Sequence, residues 1–220
     1  MTTKIEVEIK YRIADSSFIR ELLAAKRLGP YEVDEFITRQ HHDTYFDTPD
    51  RTFLSKGYTY RYRRTATRGI VQLKSLGKGS GYVHRRTELW SVTDYPKAPQ
   101  TWAAGPAKDL VMEVLAKQTL QTLFEIRQLR HYANLIHGDE VMAEISVDEI
   151  VWQTGGTETE NWELEIELND DDNSALLKSI DEEFVQTGRL IPQKQSKFER
   201  GLALLEMPLA VPSILKQKQR

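Results

Sequence analysis

Ile5-Glu6-Val7-Glu8-Ile9-Lys10-Tyr11 alternates without a break. Ile5, Val7 and Ile9 fall on one face of an extended chain and Glu6, Glu8 and Lys10 on the other, which predicts a β-strand. The pattern returns downstream in Trp162-Glu163-Leu164-Glu165-Ile166-Glu167-Leu168, with three glutamates opposite aliphatic residues. Between these two, Tyr58-Thr59-Tyr60-Arg61-Tyr62-Arg63 follows a turn at Gly57 and puts Arg61 and Arg63 on one face. Residues 71–76 carry Gln72 and Lys74 together. After a glycine-rich hairpin over 77–81 the chain returns with Arg86, Glu88 and Trp90 on a common face. Residues 127–135 and 141–151 read as a further pair joined near Gly138, the first carrying Arg130 and the second Glu144, Ser146 and Asp148. With the stretch over 38–46, this gives about eight strands, the number that closes a small barrel.

Helical spacing punctuates the strands. Asp15 or Ser16 caps a predicted helix reaching Leu28, with a stripe of Phe18, Ile19, Leu22 and Leu23 and a stop at Gly29-Pro30. A second is predicted over 107–124, through Leu110, Val111, Val114, Leu115 and Leu123. A third is predicted over 173–186, through Leu176, Leu177, Ile180 and Phe184, ending before Gly188. If these apolar stripes cover the aliphatic faces of the strands, the charged faces must line whatever the sheet encloses. A single charged strand face is usually solvated. Here several strands, from residue 6 to residue 167, each segregate acids or bases onto one face, whereas solvated faces normally mix the signs. The expected fold is therefore α+β, a closed eight-stranded antiparallel barrel with a charged interior and helices packed on the outside.

The lining has an energetic consequence. Glu6 and Glu8 lie about 7 Å apart along a strand and repel by about 2 kcal/mol at an effective dielectric near 20, and the Glu163, Glu165, Glu167 row repeats that cost. Hard divalent cations offset it with oxygen ligands, and Mg²⁺ or Mn²⁺ suits carboxylates in a chain without cysteine. Removing the charge of Glu6 or Glu165 is accordingly expected to relieve repulsion in metal-free protein. The bases Lys10, Arg61, Arg63, Lys74, Arg86 and Arg130 call for a polyanion, since guanidinium forks match phosphate oxygens. His41 and His42 are adjacent, point to opposite faces of a strand, and are assigned structural or surface roles. Gly77-Lys78-Gly79-Ser80-Gly81 lacks phosphate-loop spacing and reads as a hairpin.

Glu6-Val7-Glu8-Ile9-Lys10, Tyr45-Phe46-Asp47-Thr48-Pro49 leading to Leu54 and Gly57, Arg61-x-Arg63, Lys74, Arg86-Thr87-Glu88, Asp148, Glu163-x-Glu165-x-Glu167 and Ser196-Lys197-Phe198-Glu199-Arg200-Gly201 occur in this order. In order and spacing the chain resembles the CYTH superfamily, the triphosphate tunnel metalloenzymes, to about Leu205. The resemblance implies an eight-stranded tunnel and metal-dependent chemistry on triphosphates, in a family of inorganic triphosphatases, thiamine triphosphatases, adenylyl cyclases and RNA triphosphatases. By the same resemblance Glu6, Glu8, Glu163, Glu165 and Glu167 hold metal, helped by Glu88 and Asp148. Lys10, Arg61, Arg63, Lys74, Arg86, Arg130 and Lys197 hold phosphates, and all of these except Arg130 are expected to act in catalysis. Trp90 stands where the family often has a second acid after Glu88, and is expected to form a wall or a stacking surface instead. The motifs look most like the bacterial inorganic triphosphatase group, which implies hydrolysis of tripolyphosphate to pyrophosphate and phosphate. Thiamine triphosphate hydrolysis, nucleotide cyclisation of the class IV type and non-catalytic polyphosphate binding are the alternatives.

Formal net charge is -3 with 29% charged residues, so no basic excess points to nucleic acid. No apolar run is long enough for a membrane span, and the first ten residues lack a signal's apolar core. The absence of cysteine fits a reducing compartment, and the expected location is the cytoplasm. Residues 1–206 are expected to form one tunnel domain, as a monomer or homodimer. Residues 207–220, with Pro208, Pro212 and three bases, are expected to form a linker or disordered tail.

Overall fold

A computed structural model describes residues 3–77, 83–169, 174–185 and 188–205. The elements follow in the order β1 (Thr3–Ile13), α1 (Ser16–Ala24), β2 (Arg27–Leu28), β3 (Tyr31–Val33), β4 (Ile37–Asp47), α2 (Thr52–Ser55), β5 (Tyr58–Arg64), β6 (Gly69–Ser75) and β7 (Val83–Val92). Then come a short 3-10 turn (Pro99–Thr101), α3 (Pro106–Leu115), β8 (Gln121–His137), β9 (Glu140–Thr154), β10 (Thr157–Leu168), α4 (Ser174–Val185), β11 (Leu190–Pro192) and α5 (Lys197–Leu204). Eight strands pair in the order β8-β4-β5-β6-β7-β1-β10-β9, and β9 pairs back onto β8, closing an antiparallel barrel. The small strands β2, β3 and β11 lie outside this circuit.

The outer face of the barrel is apolar and covered, as the alternation requires. Val7, Ile9 and Tyr11 of β1 pack with Ile145 and Val147 of β9 and Leu164 and Ile166 of β10. Phe18, Ile19 and Leu22 of α1 and Leu176, Leu177 and Ile180 of α4 lie over them. A second outer cluster sets Tyr60, Val71 and Leu73 against Phe53, Trp102, Val111 and Val114. Each such aliphatic side chain contributes about 1.5–3 kcal/mol by leaving water. With that face taken, Glu6, Glu8 and Lys10 turn inward and are almost fully buried.

A third cluster lies inside the barrel. Tyr45, Phe124, Ile126, Ile150 and Trp152 share the inward parity of their strands and pack with Leu54 and with Phe198 and Leu202 of α5. This helix therefore does not pack on the outside with the others: it fills one end of the barrel as an apolar plug. Its first turn is fixed by a capping box, in which Ser196 Oγ accepts from the Glu199 amide and the Glu199 carboxylate accepts from the Ser196 amide. The indole N–H of Trp152 donates to the Lys197 carbonyl at 3.0 Å.

Two predicted helices are shorter than expected. Asp15 does cap α1, accepting from the Ser17 amide at 2.8 Å. The helix stops at Ala24, because Arg27 and Leu28 form a hairpin with Tyr31 and Glu32 around Gly29 at φ 55°. The helix expected over 107–124 ends at Leu115, where Ala116 takes a positive φ of 48°. Leu123 and Phe124 belong instead to β8, whose β-forming Thr122, Phe124 and Ile126 are claimed by β4 and β9. The tip of the hairpin at 78–82, the ends of the third predicted helix (Asn173 and Gln186) with the side chain of Phe184, and residues 206–220 lie outside the described residues.

Candidate active site

Cross-strand register assembles the interior. Paired residues on neighbouring strands point to the same side of a sheet, and the inward pairs are Glu8 with Glu167, Lys10 with Glu165, Glu6 with Arg86, Lys74 with Glu88, Arg61 with Gln72, Asp43 with Arg63, and Arg130 with Asp148. The result is a cavity of about 170 Å³. Lys10, Arg61, Arg63, Lys74, Arg86, Arg130 and Lys197 all line it, together with Glu6, Glu8, Glu88, Glu165 and Glu167. Residues from seven of the eight barrel strands and from α5 thus meet in one space.

The acids divide into groups with different surroundings. Glu6, Glu8 and Glu167 offer carboxylate oxygens all within 4.8 Å of one another. Glu6 accepts from Lys74 at 2.7 and 2.9 Å and from Arg86 at 3.3 Å, and Glu8 pairs with Arg86 and, at 3.0 Å, with Lys10. Burial would raise the Glu6 carboxyl, yet Lys74, Arg86 and Lys10 hold it well below the usual carboxylate range. Glu167 differs: burial and the charges of Glu6 and Glu8 push it up, and its hydrogen bond comes from half-exposed Lys4. Deeper in the barrel, Glu165 accepts from Lys10, Arg130 and Lys197, the last at 2.6 Å. These three cations outweigh the effect of burial and keep its carboxyl well below the usual range. Lys197 is correspondingly raised, because Glu163, Glu165 and Asp148 overcome its desolvation.

The acids assigned to metal therefore do not converge on one point. Asp148 lies behind the lining, engaged by Arg130 at 2.8 and 2.9 Å and by Lys197 at 3.0 Å. Glu163 is fully buried at the plug, beside Lys197 at 3.1 Å and Arg200 at 2.7 Å. Glu88 accepts from Gln72 and lies 3.7 Å from Lys74. Nor is the repulsion expected at Glu6 and Glu165 left open, since basic side chains from neighbouring strands neutralise both. Only Glu6, Glu8 and Glu167 form a carboxylate triad among the described residues, and this all-oxygen set fits a hard divalent cation.

Arg130, not Arg127, reaches the cavity; Arg127 is exposed and pairs with Glu158 at 2.7 Å on the outer surface. His42 is exposed beside Glu125 at 3.0 Å. His41 faces inward, its ring pushed down to about 3 by burial and by Arg63. Trp90 is half-buried opposite Gln72, two residues beyond Glu88 along β7. Asp43, completely buried against Arg61 and Arg63, was not singled out from the sequence; Gln72, placed there beside Lys74, proves to be the partner of Arg61, and Arg200 of the closing motif stacks 4.2 Å over the Trp152 ring. Two arginines on one inward face were a signal for a buried acid such as Asp43, because enclosed guanidiniums need counter-charge.

A closed antiparallel barrel whose interior is lined by opposed ionic side chains defines the class, a tunnel-type barrel. The chain belongs to the CYTH family, whose domain model matches residues 4–202. Among solved structures it is similar to a candidate adenylyl cyclase from Hippeastrum in which triphosphatase activity dominates (TM-score 0.68, 21% identity, covering 93% of this chain and 98% of that one). It is also similar to a candidate adenylate cyclase from Bacillus halodurans (0.60, 16%, 91% and 98%) and to a protein from Pyrococcus horikoshii (0.52, 17%, 90% and 98%). At these identities the likeness is one of fold. No curated protein matches the sequence. Among the described residues no helix is long and apolar enough to cross a membrane.

Proposed function

We propose that the protein is a cytoplasmic, divalent-metal-dependent triphosphatase that cleaves tripolyphosphate to pyrophosphate and phosphate. The observation that carries this reading is the meeting of seven basic side chains and a carboxylate triad in one enclosed cavity. Triphosphatase activity in the Hippeastrum relative supports it, and the motif resemblance favours the inorganic substrate. Glu6, Glu8 and Glu167 would hold the cation, with Glu88 close enough to Lys74 to share in the charge balance. When bound, the cation supplies charge neutralisation at phosphate oxygens and a polarised water.

The rest falls to the chain's own residues. Arg61, Arg63, Arg86, Lys74 and Arg130 present donors to successive phosphate groups, and Lys10 and Lys197 add charge nearest the plug. Glu165, Asp148 and Glu163 hold Lys10, Arg130 and Lys197 in place instead of binding metal. As water oxygen bonds to a terminal phosphorus, the bridging P–O bond breaks, its electron pair leaves on pyrophosphate, and the proton released by the water passes to bulk solvent. Lys74 and Arg86 are already paired with Glu6 and Glu8 of the triad, so a polyanion that engages these two bases frees carboxylates that a cation can take up. Metal and substrate should therefore bind cooperatively.

The names of two relatives favour nucleotide cyclisation as the second reading. Phosphate release from tripolyphosphate, ATP and thiamine triphosphate, with and without Mg²⁺ or Mn²⁺ and with analysis for cyclic AMP, separates the possibilities. Preferred tripolyphosphate cleavage upholds the proposal. Cyclic AMP as the main product, or tight binding without turnover in either metal, overturns it.

A further inference from the structure

Asp43 is completely buried and does not line the cavity. Its carboxylate lies behind the two arginines of β5. Oδ1 accepts from Arg63 Nε at 2.7 Å and Oδ2 from Arg63 Nη2 at 2.7 Å, a bidentate fork, while Oδ2 also accepts from Arg61 Nη1 at 3.4 Å. Arg61 is gripped from its other side by Gln72 Oε1, at 3.1 Å to Nε and 2.7 Å to Nη2. Among the described residues the salt bridges of Asp43 are to this arginine pair alone, and the His41 ring two residues back on β4 also bears on it. Burial would raise its carboxyl, but Arg63 and Arg61 keep it ionised, so it is a fixed negative charge that no entering ligand can reach.

We infer that Asp43 is a positioning residue that sets the spacing and orientation of the Arg61 and Arg63 guanidiniums toward adjacent phosphate groups. This rests on the triphosphatase reading. Asp43 touches neither substrate nor metal; it acts through the two arginines, and a pre-set pair loses less freedom when the phosphate chain arrives. Its charge also tempers the attraction of the pair for any polyanion. Removing that charge should therefore separate binding from turnover.

In Asp43→Asn, kcat should fall about 10- to 100-fold as the forks lose their register. KM should not rise, and calorimetric affinity for tripolyphosphate in chelator should increase about 3- to 10-fold, because one opposing charge is gone. In an Arg63→Ala background the same substitution should change kcat less than about threefold, since its principal partner is absent. A folded Asp43→Asn protein with kcat within about twofold of wild type, or an equal loss in both backgrounds, would overturn the inference. Should Asp43→Asn fail to give a cooperative melt, Asp43→Glu keeps the charge but moves the carboxylate by one methylene. It should lower kcat without tightening binding, and unaltered kcat in that variant also overturns the inference. If the wild-type protein cleaves no triphosphate, the triphosphatase reading falls. The tripolyphosphate affinities of the single and double variants then decide the role of Asp43: non-additive effects support it and additive effects refute it.

Discussion

Glu165 and Glu167 stand two residues apart on one inward face of β10, yet their neutralisation should have opposite effects on stability. Glu167 shares a 4.8 Å cluster with Glu6 and Glu8 and takes its hydrogen bond from a half-exposed lysine. Two unit charges at that distance repel by about 3.5 kcal/mol at an effective dielectric near 20. Lys74, Arg86 and Lys4 offset most of this, and burial together with Glu6 and Glu8 still leaves the Glu167 carboxyl raised, so its charge costs stability in metal-free protein. Glu167→Gln in chelator should therefore stabilise the protein by about 1 kcal/mol, a rise in Tm of about 2–4 °C for a chain of this size. The same variant should lose most of the shift that Mn²⁺ gives the wild type, about 2.7 kcal/mol at a concentration one hundred times Kd. Glu165→Gln, by contrast, leaves Lys10, Lys197 and Arg130 buried without their shared acceptor and should cost about 3–5 kcal/mol. Differential scanning calorimetry of both variants, in chelator and in Mn²⁺, reads all of these. A destabilised Glu167→Gln in chelator, or an unreduced metal shift, would refute the division of the acids into a metal triad and a set of base-holding carboxylates.

Further outcomes follow from the same geometry. Arg130→Ala should lower tripolyphosphate turnover by at least about 100-fold, whereas Arg127→Ala, which breaks an exposed pair worth about 0–1 kcal/mol, should leave phosphate release unchanged. His41 is held down to about 3 in the folded chain against about 6.5 when unfolded, so the unfolded state takes up the proton as pH falls through 6.5. The stability of His41→Gln relative to wild type should accordingly increase between pH 7 and pH 5, as followed by urea melts. Gly201→Ala would set a methyl carbon 2.3 Å from the Phe124 ring inside the plug and should cost about 1–3 kcal/mol in the same melts.

The barrel was legible because strict alternation in widely separated strands, at residues 5–11 and 162–168, put charged residues on one face and aliphatic residues on the other, and only closure gives such faces a shared interior. The position of α5 was not legible. Phe198 and Leu202 make the same short stripe whether a helix covers a sheet or enters a barrel, and the inward hydrophobics that receive it, Ile150 and Trp152, extend a strand read for its acids. The stripe through Leu115 and Leu123 keeps helical spacing across the break at Ala116, so the chain reversal there had no signature in the apolar pattern. Within the site, the seven bases expected to hold phosphates line one cavity. The acids were not separable by sequence, because Glu163, Glu165 and Glu167 share one face and one spacing. Their distinct surroundings come from α5 and β8 at one end of the barrel and from β1 at the other.

β1 lies between β7 and β10 and pairs Glu8 with Glu167. Strand one of the nascent chain must therefore wait for its second neighbour until almost the whole domain has left the ribosome, and closures across such sequence distances are slow. During that wait a purely aliphatic strand would invite edge-to-edge association with other chains. Glu6, Glu8 and Lys10 along one side make it a poor template, since inward charges are a common guard on exposed edges. The residues that equip the finished interior for a polyanion thus also keep its first strand soluble while the barrel is still open.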